Sequence, residues 1–125
     1  MQIQQELGFK GETLVANYLK KQGFTIRALN YRQRYGEIDI IAIKDEVLVF
    51  VEVKLRQADL FHLSEVVSPS KQRKIIMTAQ RYIVEHNMHE TVQRFDIALL
   101  HAQGGDYAIT YIPNAFTASC NERWL

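Results

Sequence analysis

The stretch from Gly36 to Arg56, GEIDIIAIKDEVLVFVEVKLR, constrains the fold more than any other part of the chain. Apolar β-branched residues crowd both sides of a short polar break at Asp45 and Glu46, which is typical of two strands joined by a tight turn. In the second segment the odd positions are all apolar, whereas the even positions become charged after Phe50. The pattern predicts an antiparallel hairpin whose second strand becomes charged near its end.

The length of the turn decides which charged residues meet. A two-residue turn at Asp45 and Glu46 places Asp39 directly opposite Glu52, and Lys54 shares their face. Opposed side chains on an antiparallel pair have Cβ atoms about 4.5–5.5 Å apart, so two carboxylates there repel unless a cation or a proton lies between them. A turn longer by one residue would move Asp39 out of line with Glu52.

Two carboxylates beside an ammonium group form a hard-oxygen site of the kind that suits Mg²⁺, which is often shared with phosphate and water. A metal held there would polarise a phosphoryl oxygen, while Lys54 would orient or deprotonate the attacking water or offset transition-state charge. This interpretation predicts phosphodiester hydrolysis. The alternative is a solvated sheet edge or a cross-strand ion pair, and the short motif alone leaves both interpretations open.

The composition indicates one ordinary globular domain over residues 1–125, large enough to fold without disulfides. The net charge of +1 means that any attraction to nucleic acid must come from the local placement of charges. The single cysteine, Cys120, excludes an internal disulfide and fits a reducing compartment. With no signal-like start and no apolar stretch long enough to cross a membrane, we expect a cytoplasmic protein without a membrane partner.

Helical and strand patterns fill the rest of the chain and predict the order αβββαββ. We expect a loop with a short helical piece over Gln57–Val67. Gly8 and Gly11 mark either a helix start near Gly11 or a close approach of another backbone. The predicted elements outside the central hairpin are a helix over Ile3–Gln22 ending at Gly23, a strand over Phe24–Arg32, a helix from the N-cap Ser68 and Pro69 to near Asn87, a strand over Arg94–His101, and a strand over Tyr107–Ile112 stopped by Pro113.

Several further charged residues have two interpretations each. Glu12 is either a solvated acid in a first helical turn or an additional carboxylate turned toward the metal. The basic residues either contact phosphate or belong to a charged surface; they are Arg32 and Arg34 near the end of the first strand, and Lys71 and Lys74 on the second helix. The sequence disfavours a zinc site, because His86 and His89 have no third zinc ligand nearby. It also contains no glycine-rich phosphate-binding loop.

The chain resembles the small bacterial YraN-type proteins along nearly its whole length. The resemblance is far more specific than the ExK triplet Glu52-Val53-Lys54 alone. It is carried by Gly11-Glu12, Ala16, Tyr18-Leu19, Asn30-Tyr31-Arg32, Gly36-Glu37-Ile38-Asp39, Val49-Phe50-Val51-Glu52-Val53-Lys54 with Arg56, Lys71, Arg94-Phe95-Asp96 and Asn114-Ala115-Phe116.

The resemblance implies a restriction-endonuclease-like fold of the PD-(D/E)xK type: a mixed central sheet with an αβββαβ core, flanked by helices, plus an extra C-terminal strand. The D and (D/E)xK elements fall on Asp39, Glu52 and Lys54, and Glu12 is similar to the extra helix carboxylate of junction resolvases. Ile38 replaces the usual proline. The glutamine-tyrosine motif of exonuclease relatives is absent, since Val84 stands four residues beyond Gln80, which disfavours that subtype.

The leading hypothesis is therefore a Mg²⁺- or Mn²⁺-dependent nuclease acting on DNA or structured RNA. Asp39 and Glu52 are the expected metal ligands, with the Val53 carbonyl and Glu12 as further candidates. Lys54 assists the attacking water or the transition state. The candidate phosphate contacts are Arg56, Lys71, Lys74, Arg32 and Arg34. The alternatives are a catalytically silent nucleic-acid-binding module of a repair or RNA-processing assembly and, ranked last, a structural protein. Both a monomer and a homodimer stay open.

Overall fold

The computed structural model describes the backbone of residues 2–56 and 67–118, and the side chains of residues 11–56 and 67–118. Within these described residues, two helices and five strands follow one another in the predicted order αβββαββ. The expected loop over Gln57–Val67 lies outside the described residues except for Val67, which is buried. The elements are α1 (Gln2–Lys21), β1 (Thr25–Gln33), β2 (Gly36–Lys44), β3 (Val47–Leu55), α2 (Pro69–Glu85), β4 (Val92–Gln103) and β5 (Asp106–Phe116).

The strands form one mixed sheet in the order β1-β2-β3-β4-β5. Neighbouring strands are antiparallel except β3 and β4, which are parallel because the connection through α2 returns the chain to the same end of the sheet. Each helix covers one face. Val49 and Val51 pack in the core with Leu19 of α1, whereas Leu48 and Phe50 belong to the core with α2. Strand β3 is therefore buried on both faces.

The predicted turn of the central hairpin is confirmed. Asp45 and Glu46 have φ angles of 50° and 66°, the pair of positive values that a two-residue type I′ turn requires. The β2–β3 ladder runs from the Lys44–Val47 pair to Ile40 opposite Val51. The register that aligns Asp39 with Glu52 is thus the one found.

Helix α1 is continuous through Gly11, so a helix start at that residue is wrong, and what approaches the glycine closely is side chains of the sheet rather than another backbone. A Cβ atom at Gly11 would lie 2.6 Å from Leu100 Cδ1 and 3.8 Å from Val53 Cγ1. The absence of a side chain lets the helix lie directly against the sheet, with Glu12 near the end of β3. The helix ends as predicted at Gly23, whose φ of 97° is the left-handed conformation of a C′ glycine.

The predicted end of the last strand at Pro113 is wrong, because β5 continues to Phe116. The β4–β5 register shifts between Phe95–Phe116 and Ile97–Ile112, and this bulge accommodates the proline on an edge strand. The fully buried Asp96 of β4 fixes the bulge, since its Oδ1 accepts the Asn114 amide at 2.8 Å.

Two further side chains complete the surroundings of Asp96. The Arg94 guanidinium donates to it at 2.9–3.3 Å, and the Tyr111 hydroxyl donates at 2.5 Å. Burial, together with the hydrogen bond to Asp96, raises the pKa of Tyr111 and keeps the hydroxyl protonated as a donor. A buried charge with this many donors is satisfied, which assigns Asp96 a role in the fold.

The remaining predicted boundaries agree with the structure within a few residues. Ser68 is the N-cap of α2, because its side chain accepts the Lys71 amide at 3.2 Å, and Pro69 is the first helical residue. The helix ends at Glu85, with Asn87 in the left-handed conformation at a φ of 52°. Within the described part of the chain, neither helix is long and apolar enough to cross a membrane.

Candidate active site

The candidate site lies where β2 loses its regular alternation. Ile38 belongs to the core on the α2 side and Ile40 to the core on the α1 side, although residues two apart in a regular strand share a face. The irregularity falls on Asp39 and on its neighbour in β1, Asn30, whose φ is 51°. Ladder pairing resumes on each side, at Leu29–Ile40 and Tyr31–Ile38. The distortion frees the Asp39 carboxylate to turn toward β3.

Asp39 inserts its carboxylate beside the β3 backbone. Its Oδ2 accepts the Val53 amide at 2.8 Å, just beyond the last Ile40–Val51 pair of the ladder. Burial raises the pKa of Asp39 to about 8, the nearby Glu52 charge adds to the rise, and the Val53 amide opposes it. A hydrogen bond with the Glu52 carboxyl contributes further to the rise. The structure thus brings Asp39 and Glu52 together, as the hairpin register predicted.

Glu52 is almost fully buried and is neutralised by lysines from two elements. Its position on β3 shares the parity of Phe50, so its side chain lies on the α2 side of the sheet. Lys71 Nζ of α2 lies 2.8 Å from Glu52 Oε2, and Lys54 Nζ of β3 lies 3.9 Å from the same oxygen. Partial burial lowers the pKa of Lys71, but the hydrogen bond and charge of Glu52 outweigh burial and raise it.

The contact of Lys71 with Glu52 is the feature that sequence reasoning missed. The sequence pattern makes Lys71 a candidate phosphate contact, and in the structure its ammonium contacts the Glu52 carboxylate, while phosphate binding by Lys71 stays a prediction. The ExK spacing identifies Lys54 because both residues are on one strand. It carries no signal for a lysine on a helix that the fold brings over the same carboxylate.

Glu12 borders the site from α1. Asn30 Nδ2 donates to Glu12 Oε1 at 2.7 Å, so the left-handed Asn30 links helix and sheet. Burial raises the pKa of Glu12, the Asn30 hydrogen bond lowers it, and the charges of Glu37 and Glu52 raise it. Among residues 11–56 and 67–118, no three His, Cys, Asp or Glu side chains group closely enough to hold a metal ion. Glu12 therefore does not complete a three-carboxylate cluster with Asp39 and Glu52.

The other predicted phosphate contacts surround the same end of the sheet. Arg32 is engaged in an ion pair with Glu37, with Nε and Oε2 3.1 Å apart. The Arg34 guanidinium lies over the Tyr35 ring in the β1–β2 turn. The Lys74 Cβ faces Gly36 at the start of β2. Arg56 directly follows β3 and donates its amide to the Leu100 carbonyl.

Comparison with known proteins places the chain among bacterial relatives. Residues 11–100 match the family described as "Uncharacterised protein family UPF0102". The chain belongs to the UPF0102 family. A UPF0102 protein of Coxiella burnetii is 39% identical over 115 residues, which cover 90% of this chain and 93% of the relative. Relatives from Vibrio parahaemolyticus and Clostridium botulinum are each 40% identical, with 93% and 94% of their lengths covered.

The resemblance to YraN-type proteins is thereby confirmed. Every candidate site residue from Glu12 to Lys74 lies inside the segment that matches UPF0102. The UPF0102 description names no activity, so the function of this chain has to be argued from the chemistry of the site.

Proposed function

We propose that this UPF0102 protein has a restriction-endonuclease-like fold and is a metal-dependent nuclease that hydrolyses phosphodiester bonds in DNA or structured RNA. The observation that carries the proposal is the contact between the Asp39 and Glu52 carboxyl groups at the irregular part of β2, with Lys54 beside them. The order αβββαβ followed by one more strand supports the proposed fold.

The donor set fits Mg²⁺ or Mn²⁺. Carboxylate and carbonyl oxygens are the ligands these cations prefer. Burial and then repulsion by Glu52 raise the pKa of Asp39, and a divalent cation would relieve that repulsion. Asp39 and Glu52 would hold the cation, with the Val53 carbonyl as a further ligand and water filling the remaining positions. Glu12 is close enough to act on the site through its charge.

When bound, such a cation polarises a phosphoryl oxygen and lowers the pKa of a bound water. The residues of this chain perform the other tasks. Lys54, whose side chain is about one-third exposed, orients the attacking water or offsets the charge that develops on phosphate. Arg34, Lys74 and Arg56 are candidate phosphate contacts, while Arg32 is the weaker candidate because Glu37 already neutralises it.

The test is cleavage of branched, nicked and single-stranded DNA and of a structured RNA by the purified protein with Mg²⁺ or Mn²⁺. We expect Asp39→Ala and Glu52→Ala each to lower the rate at least about a hundredfold, because each removes a ligand. Glu90→Ala removes an exposed carboxylate outside the site and should keep the wild-type rate. Cleavage that persists in both site variants would refute the proposal.

One observation favours a second candidate, a nucleic-acid-binding module without catalysis. Lys71 already neutralises Glu52, so the buried carboxylate has a partner without any metal. This candidate predicts binding that weakens steeply with salt, no cleavage with either cation, and site variants that bind nucleic acid like the wild type. We further propose a cytoplasmic location, which the single cysteine supports. Both a monomer and a homodimer stay open, and a mass measurement in solution would distinguish them.

A further inference from the structure

Lys71 contacts Glu52 from helix α2, whereas Lys54 is on the same strand as Glu52. Its ammonium group is 2.8 Å from Glu52 Oε2, whereas Lys54 Nζ, on the same strand as Glu52, is 3.9 Å away. The Lys71 side chain is 42% exposed and that of Glu52 only 6%. The main neutralising partner of the buried carboxylate is thus a long side chain with access to solvent.

The position of Lys71 in its helix favours this pairing. Lys71 is in the first turn of α2, two residues after Pro69, where the helix dipole disfavours a positive charge. Glu52 offsets that unfavourable interaction. An anion near the ammonium group, either Glu52 or another one at the same place, therefore offsets a modest unfavourable interaction with the helix end.

A divalent cation held by Asp39 and Glu52 would compete with the Lys71 ammonium group for the same carboxylate. Two positive charges that share one partly buried carboxylate repel each other strongly. Building on the nuclease proposed above, we propose that Lys71 is a positioning residue that competes with the metal for Glu52 and, once displaced, binds a phosphate of the nucleic acid. Metal and nucleic acid then strengthen each other's binding, because each favours the displaced state of Lys71.

The first measurement is Mn²⁺ affinity by titration calorimetry without nucleic acid. Lys71→Met and Lys71→Gln remove the competing charge, and the glutamine keeps a hydrogen-bond donor for Glu52 should the methionine variant fold poorly. We expect both to bind Mn²⁺ roughly tenfold more tightly than the wild type. Lys71→Arg, which keeps the positive charge, should bind Mn²⁺ with the wild-type affinity. Arg73→Met, which removes an exposed positive charge from the same helix, should change the affinity less than about twofold.

The second measurement is binding of a labelled four-way-junction DNA with and without Ca²⁺. In the wild type, Ca²⁺ should raise DNA affinity several-fold by freeing Lys71. In Lys71→Gln the increase should be lost, while affinity without metal stays near the wild-type value because Lys71 is then paired with Glu52.

The outcomes separate this inference from the proposed function. If neither wild type nor Lys71 variants bind Mn²⁺, both proposals are overturned. If Mn²⁺ binds but the two neutral variants bind it no more tightly, or the DNA affinity rises with Ca²⁺ equally in wild type and Lys71→Gln, the competition is refuted and the metal site stands.

Discussion

Replacing Asp39 with asparagine should stabilise the protein at neutral pH when no divalent cation is present. Burial and the charge of Glu52 raise the pKa of Asp39 from 3.8 to about 8, so the folded state disfavours the ionised carboxylate. Asparagine has the same shape and does not ionise. Its oxygen can accept the Val53 amide, as Asp39 Oδ2 does at 2.8 Å, and its amide can donate to Glu52.

The sign and size of the effect follow from the two pKa values. Between pH 3.8 and about 8, Asp39 loses its proton in the unfolded chain but keeps it in the folded one, so raising the pH lowers the stability of the folded state. Each pH unit is worth about 1.4 kcal/mol, which gives an upper limit of about 4 kcal/mol at pH 7. Water penetration and the nearby lysines reduce this, and we expect a gain of about 2 kcal/mol for Asp39→Asn at pH 7.

The assay is urea unfolding in EDTA at pH 4.5 and pH 7. Asp39→Asn should exceed the wild type by about 2 kcal/mol at pH 7 and by less than about 1 kcal/mol at pH 4.5. Asp45→Asn, in the exposed β2–β3 turn, is the matched control and should change stability by a similar small amount at both pH values. An Asp39→Asn protein that is less stable than the wild type at pH 7, or equally improved at both pH values, would refute the reasoning.

Three further predictions concern stability. Saturating Mn²⁺ should stabilise the wild type by about 2.7 kcal/mol at a hundred times Kd and leave Glu52→Ala unchanged, as measured by thermal unfolding. Gly11→Ala should destabilise the fold by about 1 kcal/mol in urea unfolding, because the cost of placing its Cβ 2.6 Å from buried Leu100 exceeds the helix propensity gained with alanine; an increase in stability would contradict the close packing. Asp96→Asn should cost about 3 kcal/mol by the same assay, since it leaves Arg94 without its buried partner, and a neutral result would contradict that role.

The central hairpin could be predicted because its determinants are local. Asp45 and Glu46 interrupt two apolar runs, and a two-residue turn leaves one register. That register aligns Asp39 with Glu52 without any knowledge of the rest of the fold. The helix ends at Gly23 and Ser68 are local in the same sense, because capping involves residues within one turn.

The features that the sequence did not predict depend on contacts between residues far apart in the chain. Strand β5 passes Pro113 because Asp96, on the neighbouring strand, binds the Asn114 amide in the bulge. Lys71 contacts Glu52 because the docking of α2 brings its first turn over β3. A proline and a lysine have the same local propensities whether or not such partners exist, so the sequence pattern could not distinguish these outcomes.

The arrangement of charges favours a functional site over an ordinary cross-strand ion pair. In a structural ion pair each carboxylate has a cation, and the folded state then lowers its pKa. Here both lysines contact Glu52, whereas the described partners of Asp39 are the Val53 amide and the Glu52 carboxyl group. The pKa of Asp39 is raised, so the ionised form of this residue costs stability. A buried carboxylate that opposes folding is what a site prepared for an external cation requires, and asparagine would serve a purely structural role better.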